Sequence, residues 1–126
     1  MGPKVETLDL YQVKALRTAA PSPDYILGLG IAGEAGEVAD IMKKELGHGH
    51  DRDHAKMAKE LGDVLWYIAV LADRYGWSLS EIATMNVDKL MARYPDGFDS
   101  ERSINRTSQT TSEGDGMFKI TEVRYE

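Results

Sequence analysis

Apolar residues recur at helical spacing in four segments of this chain, with proline or glycine between them. The segments run from about Thr7 to Ala19, from about Pro23 to Leu46, from about Met57 to Tyr75 and from about Leu79 to Tyr94. Apolar side chains at positions i, i+3, i+4 and i+7 form one face of an α-helix, whereas a strand requires alternation. The sequence therefore predicts an all-α domain.

Turn and capping residues mark where these helices begin and end. Two glycines in Gly47-His48-Gly49-His50 predict a turn after the second helix, and Asp51 or Asp53 can cap the third. Ser78-x-x-Glu81 is a capping box, in which two side chains satisfy exposed backbone donors at a helix start. The second and third helices are thus expected to form an antiparallel hairpin.

The 126 residues fit one domain, which we place at residues 1–98. Residues 99–116 are rich in serine, threonine, asparagine and glycine, which bury too little surface to offset the entropy of ordering. A loose alternation at 117–125 is compatible with a short strand. Residues 99–126 are therefore expected to be a flexible C-terminal tail.

The third helix is apolar on more than one side, because Trp66, Tyr67 and Val70 lie opposite its main apolar stripe. One short chain cannot cover such a helix on all sides. We therefore expect a helical bundle that is completed by a homo-oligomer, a dimer or a tetramer.

Composition excludes several classes of protein. The absence of cysteine rules out disulfides, thiol nucleophiles and thiolate metal sites. A net charge of -6 has the wrong sign for a protein that grips a nucleic acid polymer. No apolar run is long enough for a membrane helix, and the N-terminus lacks the apolar core of a signal peptide. A cytoplasmic protein without a membrane partner is expected.

Two acidic pairs stand out, Glu34-x-x-Glu37 in the second helix and Glu60-x-x-Asp63 in the third. Residues three apart lie on the same side of a helix. In an antiparallel hairpin, residues at equal height have a constant sum of residue numbers, and Glu34 with Asp63 and Glu37 with Glu60 both give 97. The centre of that register falls inside residues 47–50, where glycine independently predicts the turn.

Four converging carboxylates need compensation, since each pair at roughly 6 Å repels by about 3 kcal/mol at an effective dielectric near 20. Oxygen-only ligands favour hard cations, so Mg²⁺ or Mn²⁺ is the metal ion expected to bind here. The alternative is a solvated surface in which Lys56 pairs with Glu60 and Lys59 pairs with Asp63. Such exposed pairs contribute only about 0.3 to 0.5 kcal/mol each.

The order and spacing of these acids resemble the all-α nucleoside triphosphate pyrophosphohydrolases, in particular MazG-like proteins. The resemblance extends from about Tyr11 to Phe98 and includes three stretches, residues 30–38, 60–67 and 89–95. It implies hydrolysis of nucleoside or deoxynucleoside triphosphates between the α and β phosphates, giving the monophosphate and pyrophosphate. It also implies that Mg²⁺ is held by Glu34, Glu37, Glu60 and Asp63, and that the task is housecleaning of the nucleotide pool.

The fourth helix carries a polar stripe of Asn86, Lys89 and Arg93, which by similarity faces the nucleotide. Lys44 is a further phosphate-binding candidate, and Trp66 can stack on a base or belong to the core. The alternative function is a non-catalytic helical dimer that binds a metal ion for structure.

Overall fold

The computed structural model describes residues 2–51 and 53–105, which form five α-helices and no strand. The helices are, in chain order, α1 (Leu8–Leu16), α2 (Asp24–His48), α3 (His54–Arg74), α4 (Leu79–Arg93) and α5 (Ser100–Ile104). The all-α class predicted from the periodicity is confirmed. None of the helices in the described ranges is long and apolar enough to span a membrane.

Helices α2 and α3 form the antiparallel hairpin on which the rest of the chain packs. Helix α2 ends in the predicted turn, where Gly49 has a φ of 70° and donates its backbone N–H to the carbonyl of Lys44. Glycine adopts this left-handed conformation without steric cost. Asp53 caps α3 by accepting the backbone N–H of Lys56 at 3.0 Å. Of the two capping candidates, Asp53 is therefore the one used.

The helix ends differ from the sequence prediction by at most three residues, and α4 starts at Leu79 as predicted. Helix α1 stops at Leu16, because the N–H groups of Thr18 and Ala19 bond three residues back in a turn. Helix α4 stops at Arg93, since Tyr94 precedes a proline and takes φ −132° and ψ 69°. The capping box of Ser78 and Glu81 is formed as predicted.

Helix α1 is fixed to the α3 end of the hairpin by a buried glutamine. The Gln12 amide donates to the carbonyls of Ala69 and Trp77, each at 3.0 Å, and accepts the backbone N–H of Leu79 at 3.1 Å. These bonds join α1 to the end of α3 and the start of α4. A buried backbone group that loses such a hydrogen-bond partner destabilises the fold by about 1 to 3 kcal/mol. Gln12 therefore fixes the mutual positions of three helices.

The hydrophobic core of the described chain consists mostly of small residues. Its main cluster joins α1, α3 and α4, and further buried residues lie in the hairpin. The buried apolar residues are Ala15, Leu27, Ile41, Ala69, Val70, Ala72 and Leu79. Larger apolar side chains remain exposed on several helices, among them Leu29 and Val87.

Helix α5 occupies the first residues of the segment that we expect to be a tail, and Asp99 caps it. The short strand expected at 117–125 lies outside the described residues. The division of the chain at residues 98 and 99 stays a prediction.

Candidate metal and substrate site

Three acidic side chains from the hairpin converge on one point. Glu34 of α2 and Glu60 and Asp63 of α3 each offer a carboxylate oxygen within 4.8 Å of the other two. Glu34 and Glu60 are half-buried, and Asp63 is exposed. This spacing lets three oxygens reach one ion from adjacent positions on two helices.

The contact of Gly30, one helical turn before Glu34, shows the same pairing of α2 with α3. A Cβ atom at Gly30 would overlap the ring of Tyr67. The numbers of these two residues also add to 97, so Gly30 faces Tyr67 as Glu34 faces Asp63. Glycine at this position therefore lets α2 and α3 approach closely beside the acidic group.

Electrostatic strain is concentrated on Glu34. Its hydrogen bond with Glu60 is the main cause that raises the pKa of Glu34, followed by partial burial and by the negative charges of Asp63, Glu60 and Glu37. No lysine or arginine is among these causes. Two carboxylates can share a hydrogen bond only if one of them carries a proton, so the contact with Glu60 favours the protonated form of Glu34.

The ion pairs of the solvated-surface alternative are not formed. Among the described residues, no ion pair joins Lys56 to Glu60 or Lys59 to Asp63, whereas the Nζ of Lys44 lies 2.9 Å from Asp40. The three carboxylates of the acidic group therefore form no ion pair in the described part of the chain. Its three oxygen donors suit a hard divalent cation such as Mg²⁺ or Mn²⁺.

Glu37 lies beside this group but not in it. Three residues advance a helix by about 300°, so Glu37 is turned about 60° from Glu34, and its side chain is exposed. Its charge still contributes to the raised pKa of Glu34. Whether Glu37 joins the ligand set is a proposal taken up below.

Comparison with known proteins identifies the family. The model of the MazG nucleotide pyrophosphohydrolase domain matches residues 25–98, more than half of the chain. The chain belongs to the MazG family. It is 37% identical over 115 residues to the Gene 37 protein of Mycobacterium phage L5, covering 79% of this chain and 98% of the phage protein. No solved structure matches the chain.

Membership of the MazG family points to a nucleotide pyrophosphohydrolase, and the acidic group lies within the matched residues. The family is typically dependent on a divalent metal ion. The other residues predicted for substrate binding in this MazG domain occupy different surroundings, which the next paragraphs describe.

The polar stripe of α4 is not brought to the acidic group within one chain. Helix α4 packs mainly against α1. Asn86 and Lys89 are exposed, and the half-buried Arg93 places its guanidinium 6.0 Å from the ring centroid of Tyr94. The role of this stripe in substrate binding stays a prediction.

Trp66 belongs to the packing between α1 and α3. Its ring N–H donates to the carbonyl of Ala15 at 3.1 Å and to the hydroxyl of Thr18 at 2.8 Å, and its ring meets Tyr67 edge-on at 5.0 Å. These contacts correspond to the core alternative for this tryptophan. Base stacking by Trp66 stays a prediction.

Asp40 and Tyr11 are two further residues beside the acidic group that the motifs did not indicate. The hydrogen bond from Lys44, at 2.9 Å, and the charges of Lys44, Lys43 and Lys56 lower the pKa of Asp40. Partial burial and then the charge of Asp63 raise the pKa of Tyr11. Asp40 is three residues after Glu37 and four before Lys44, and this helical spacing is the sequence feature that could have indicated its place beside them.

The mid-helix glycines Gly36 and Gly62 make no close contact within the described chain. Glycine inside a helix usually marks a close approach, yet a Cβ at either position would meet nothing within 4 Å. The close approach in the hairpin is made at Gly30 instead.

Proposed function

We propose that this MazG domain hydrolyses nucleoside and deoxynucleoside triphosphates between the α and β phosphates, releasing the nucleoside monophosphate and pyrophosphate. The observation that carries the proposal is the convergence of Glu34, Glu60 and Asp63 without a compensating cation, inside a MazG domain. Clearance of unwanted nucleotides in the cytoplasm is the biological task that fits this reaction.

The metal ligands in this proposal are Glu34, Glu60 and Asp63, with Glu37 completing the set from the adjacent turn. When bound, Mg²⁺ neutralises phosphate oxygens and lowers the pKa of a water molecule. The half-buried Glu34 and Glu60 hold their oxygens in place through the hairpin packing. A carboxylate of this group accepts a proton of the attacking water, whose oxygen bonds to the α phosphorus. The bond from that phosphorus to the α–β bridging oxygen breaks, and pyrophosphate leaves with the bridging oxygen.

The substrate-binding residues Asn86, Lys89 and Arg93 reach the phosphates in this proposal from a second copy of the chain. Helix α4 exposes an apolar stripe beside them, with Val87 55% and Met91 59% exposed. Burying such a stripe against another subunit favours a homo-oligomer. The same contact would bring the positive charges of α4 to an acidic group that forms no ion pair within the described part of the chain.

A substrate panel tests the proposed reaction. Purified protein is mixed with each nucleoside and deoxynucleoside triphosphate plus Mg²⁺, and pyrophosphate and inorganic phosphate are assayed separately. Pyrophosphate without inorganic phosphate is expected. Release of inorganic phosphate contradicts cleavage at the α–β linkage, and release of neither favours the alternative of a non-catalytic, metal-binding helical dimer.

A further inference from the structure

The first turn of α4 is held by side chains of α1. A helix leaves its first backbone N–H groups without partners inside the helix. The N–H of Leu79 donates to the Gln12 amide oxygen at 3.1 Å. The N–H of Ser80 donates to the Asp9 carboxylate at 2.9 Å. The capping box supplies the partner of the next N–H from within the same segment. Two of these three groups are therefore satisfied by another helix.

Asp9 contacts Ser80 at two points. Besides the backbone bond, its second carboxylate oxygen accepts the Ser80 hydroxyl at 2.6 Å. The hydroxyl bond and then the backbone bond lower the pKa of Asp9, because both favour the charged carboxylate. A carboxylate that is bonded through both oxygens fixes the direction of its partner as well as the distance. The pair thus joins the start of α1 to the start of α4.

Gln12 joins the same point to the end of α3. Its side chain is buried, and its amide nitrogen donates to the carbonyls of Ala69 in α3 and of Trp77 in the connection to α4. Gly76, with a φ of 76°, lies in this connection. One buried side chain therefore contacts the helix before the turn, the turn itself and the first N–H of the helix after it.

Helix α4 extends from this point towards the residues predicted to bind phosphate. Lys89 and Arg93 come ten and fourteen residues after Leu79, or about 15 and 21 Å along the helix. A tilt of about 10° at the held end would move Arg93 by about 4 Å. Val87 and Met91 are exposed in this half of the helix, and α4 packs mainly against α1. The direction of α4 within the chain therefore depends strongly on the contacts at its start.

We propose that Asp9 and Gln12 are positioning residues, which set the direction of α4 and thereby the place of its phosphate-binding stripe. Both act through α4 and not on the substrate itself. A misplacement of about 1 Å can cost about 100-fold in rate, so a small change in the direction of α4 has a large functional effect. This inference rests on the proposed pyrophosphohydrolase function and adds the residues that align Asn86, Lys89 and Arg93.

A distance measurement tests the alignment without relying on turnover. The chain has no cysteine, so Ala39→Cys on α2 and Asp88→Cys on α4, both at exposed positions, take two nitroxide labels specifically. Labelled protein is diluted with unlabelled protein, so that double electron–electron resonance measures distances within one chain. Asp9→Ala should shift or broaden the distance distribution by about 2 Å or more. Asp9→Asn keeps an oxygen for the Ser80 N–H and should stay close to the wild-type distribution.

Glu81→Ala is the matched control. It also removes one acidic side chain at the start of α4, the one that accepts the Ser78 N–H in the capping box, but it leaves both bonds from α1 in place. Its distance distribution should equal that of the wild-type protein. Gln12→Met has a similar length, removes all three amide bonds and should broaden the distribution. Asp9 is exposed, so Asp9→Ala decides the test if Gln12→Met does not fold.

Binding of a non-hydrolysable triphosphate analogue connects this alignment to function. With Mg²⁺ present, the Kd for the analogue should rise about 10-fold or more in Asp9→Ala and stay within about twofold in Asp9→Asn and Glu81→Ala. Mn²⁺ binding without a nucleotide should stay within about twofold in these variants, because the acidic group lies on α2 and α3. An equal loss of analogue affinity in Asp9→Ala and Glu81→Ala overturns the positioning role, since a weakened helix start then explains both.

The two measurements separate failure of this inference from failure of the proposed function. If the wild-type protein releases pyrophosphate and Asp9→Ala changes neither the distances nor the analogue affinity, the positioning role fails and the pyrophosphohydrolase function stands. If the wild-type protein neither binds the analogue nor cleaves any nucleotide, the proposed function fails. The distance distributions alone then decide whether Asp9 and Gln12 align α4.

Discussion

At the scale of single residues, the acidic group combines a structural cost with a functional use. Glu34 shares a hydrogen bond with Glu60 and is acted on by the charges of Asp63 and Glu37, and no lysine or arginine of the described residues lowers its pKa. Like charges at such distances destabilise the metal-free protein. The site is therefore expected to weaken the fold until a cation binds.

Replacing Glu34 should separate stability from function. In Glu34→Gln, one negative charge disappears and little volume changes, so the Tm of the metal-free protein should rise. The increase in Tm caused by Mg²⁺ should vanish, and turnover should fall by about 100-fold or more. Calorimetry with and without Mg²⁺ and the pyrophosphate assay measure both effects. Glu6→Gln, in the exposed N-terminal segment, is the matched control. A lower Tm for metal-free Glu34→Gln would contradict the repulsion.

The raised pKa of Glu34 also predicts the pH dependence of metal binding. A carboxyl whose pKa is raised by folding stabilises the metal-free protein at low pH, and this contribution is lost as pH rises from the ordinary value of 4.5 through the raised pKa. Mg²⁺ competes with the proton, so its stabilising effect should be absent below this range and appear above it. Tm measured against pH, with and without Mg²⁺, should give two curves that meet in acid and diverge towards neutral pH. A constant separation would argue against this site.

At the scale of helices, the sequence predicted the α2–α3 hairpin and its register. It did not predict which of the four acidic side chains lie in the close group. The turn glycines and the constant sum of 97 placed Glu34 opposite Asp63, and the contact of Gly30 with Tyr67 follows the same register. Glu37, expected at the level of Glu60, is not in the close group, although its offset from Glu34 equals that of Asp63 from Glu60. Residue spacing predicts the position of a residue along the helix axis. It predicts less reliably where the terminal atoms of a long side chain lie.

Alanine at two glycines of α2 tests the packing of the hairpin. Gly30→Ala should destabilise the protein by about 1 to 3 kcal/mol, because the new Cβ overlaps Tyr67. Gly28→Ala is the matched control, since nothing lies within 4 Å of its Cβ, and it should stabilise the helix by about 0.5 to 1 kcal/mol. Urea unfolding at one protein concentration measures both free energies. Stability changes of the same sign and size would contradict the register.

At the scale of the whole molecule, two features of the single chain are incomplete: the burial of its apolar surface and the charge balance of its acidic group. Its core consists mostly of small side chains, while α4 keeps Val87, Leu90 and Met91 exposed. Among the described residues, no ion pair compensates the acidic group, and Lys89 and Arg93 lie on the same helix as the exposed stripe. The periodicity of α3 predicted an oligomer, but no feature of one sequence states which face of α4 meets which neighbour.

A mixing experiment tests whether a second copy completes the site. Glu34→Gln and Lys89→Ala should each be inactive alone, and mixed subunits should recover part of the turnover, because one site of each hybrid is intact. Light scattering should give at least twice the mass of one chain for both variants, with the wild-type protein as reference. A monomer at every concentration, or a mixture that stays inactive although subunits exchange, would rule out a shared site.

The central claim is that the three converging carboxylates bind a divalent ion that a triphosphate also contacts. Mn²⁺ titration followed by the electron paramagnetic resonance signal of the free ion measures this directly. The account predicts that the wild-type protein depletes the free-ion signal and that a non-hydrolysable triphosphate analogue tightens the binding. The folded variant carrying Glu34→Gln, Glu60→Gln and Asp63→Asn should leave the signal unchanged. Equal Mn²⁺ affinity of the wild-type protein and this variant would contradict the account.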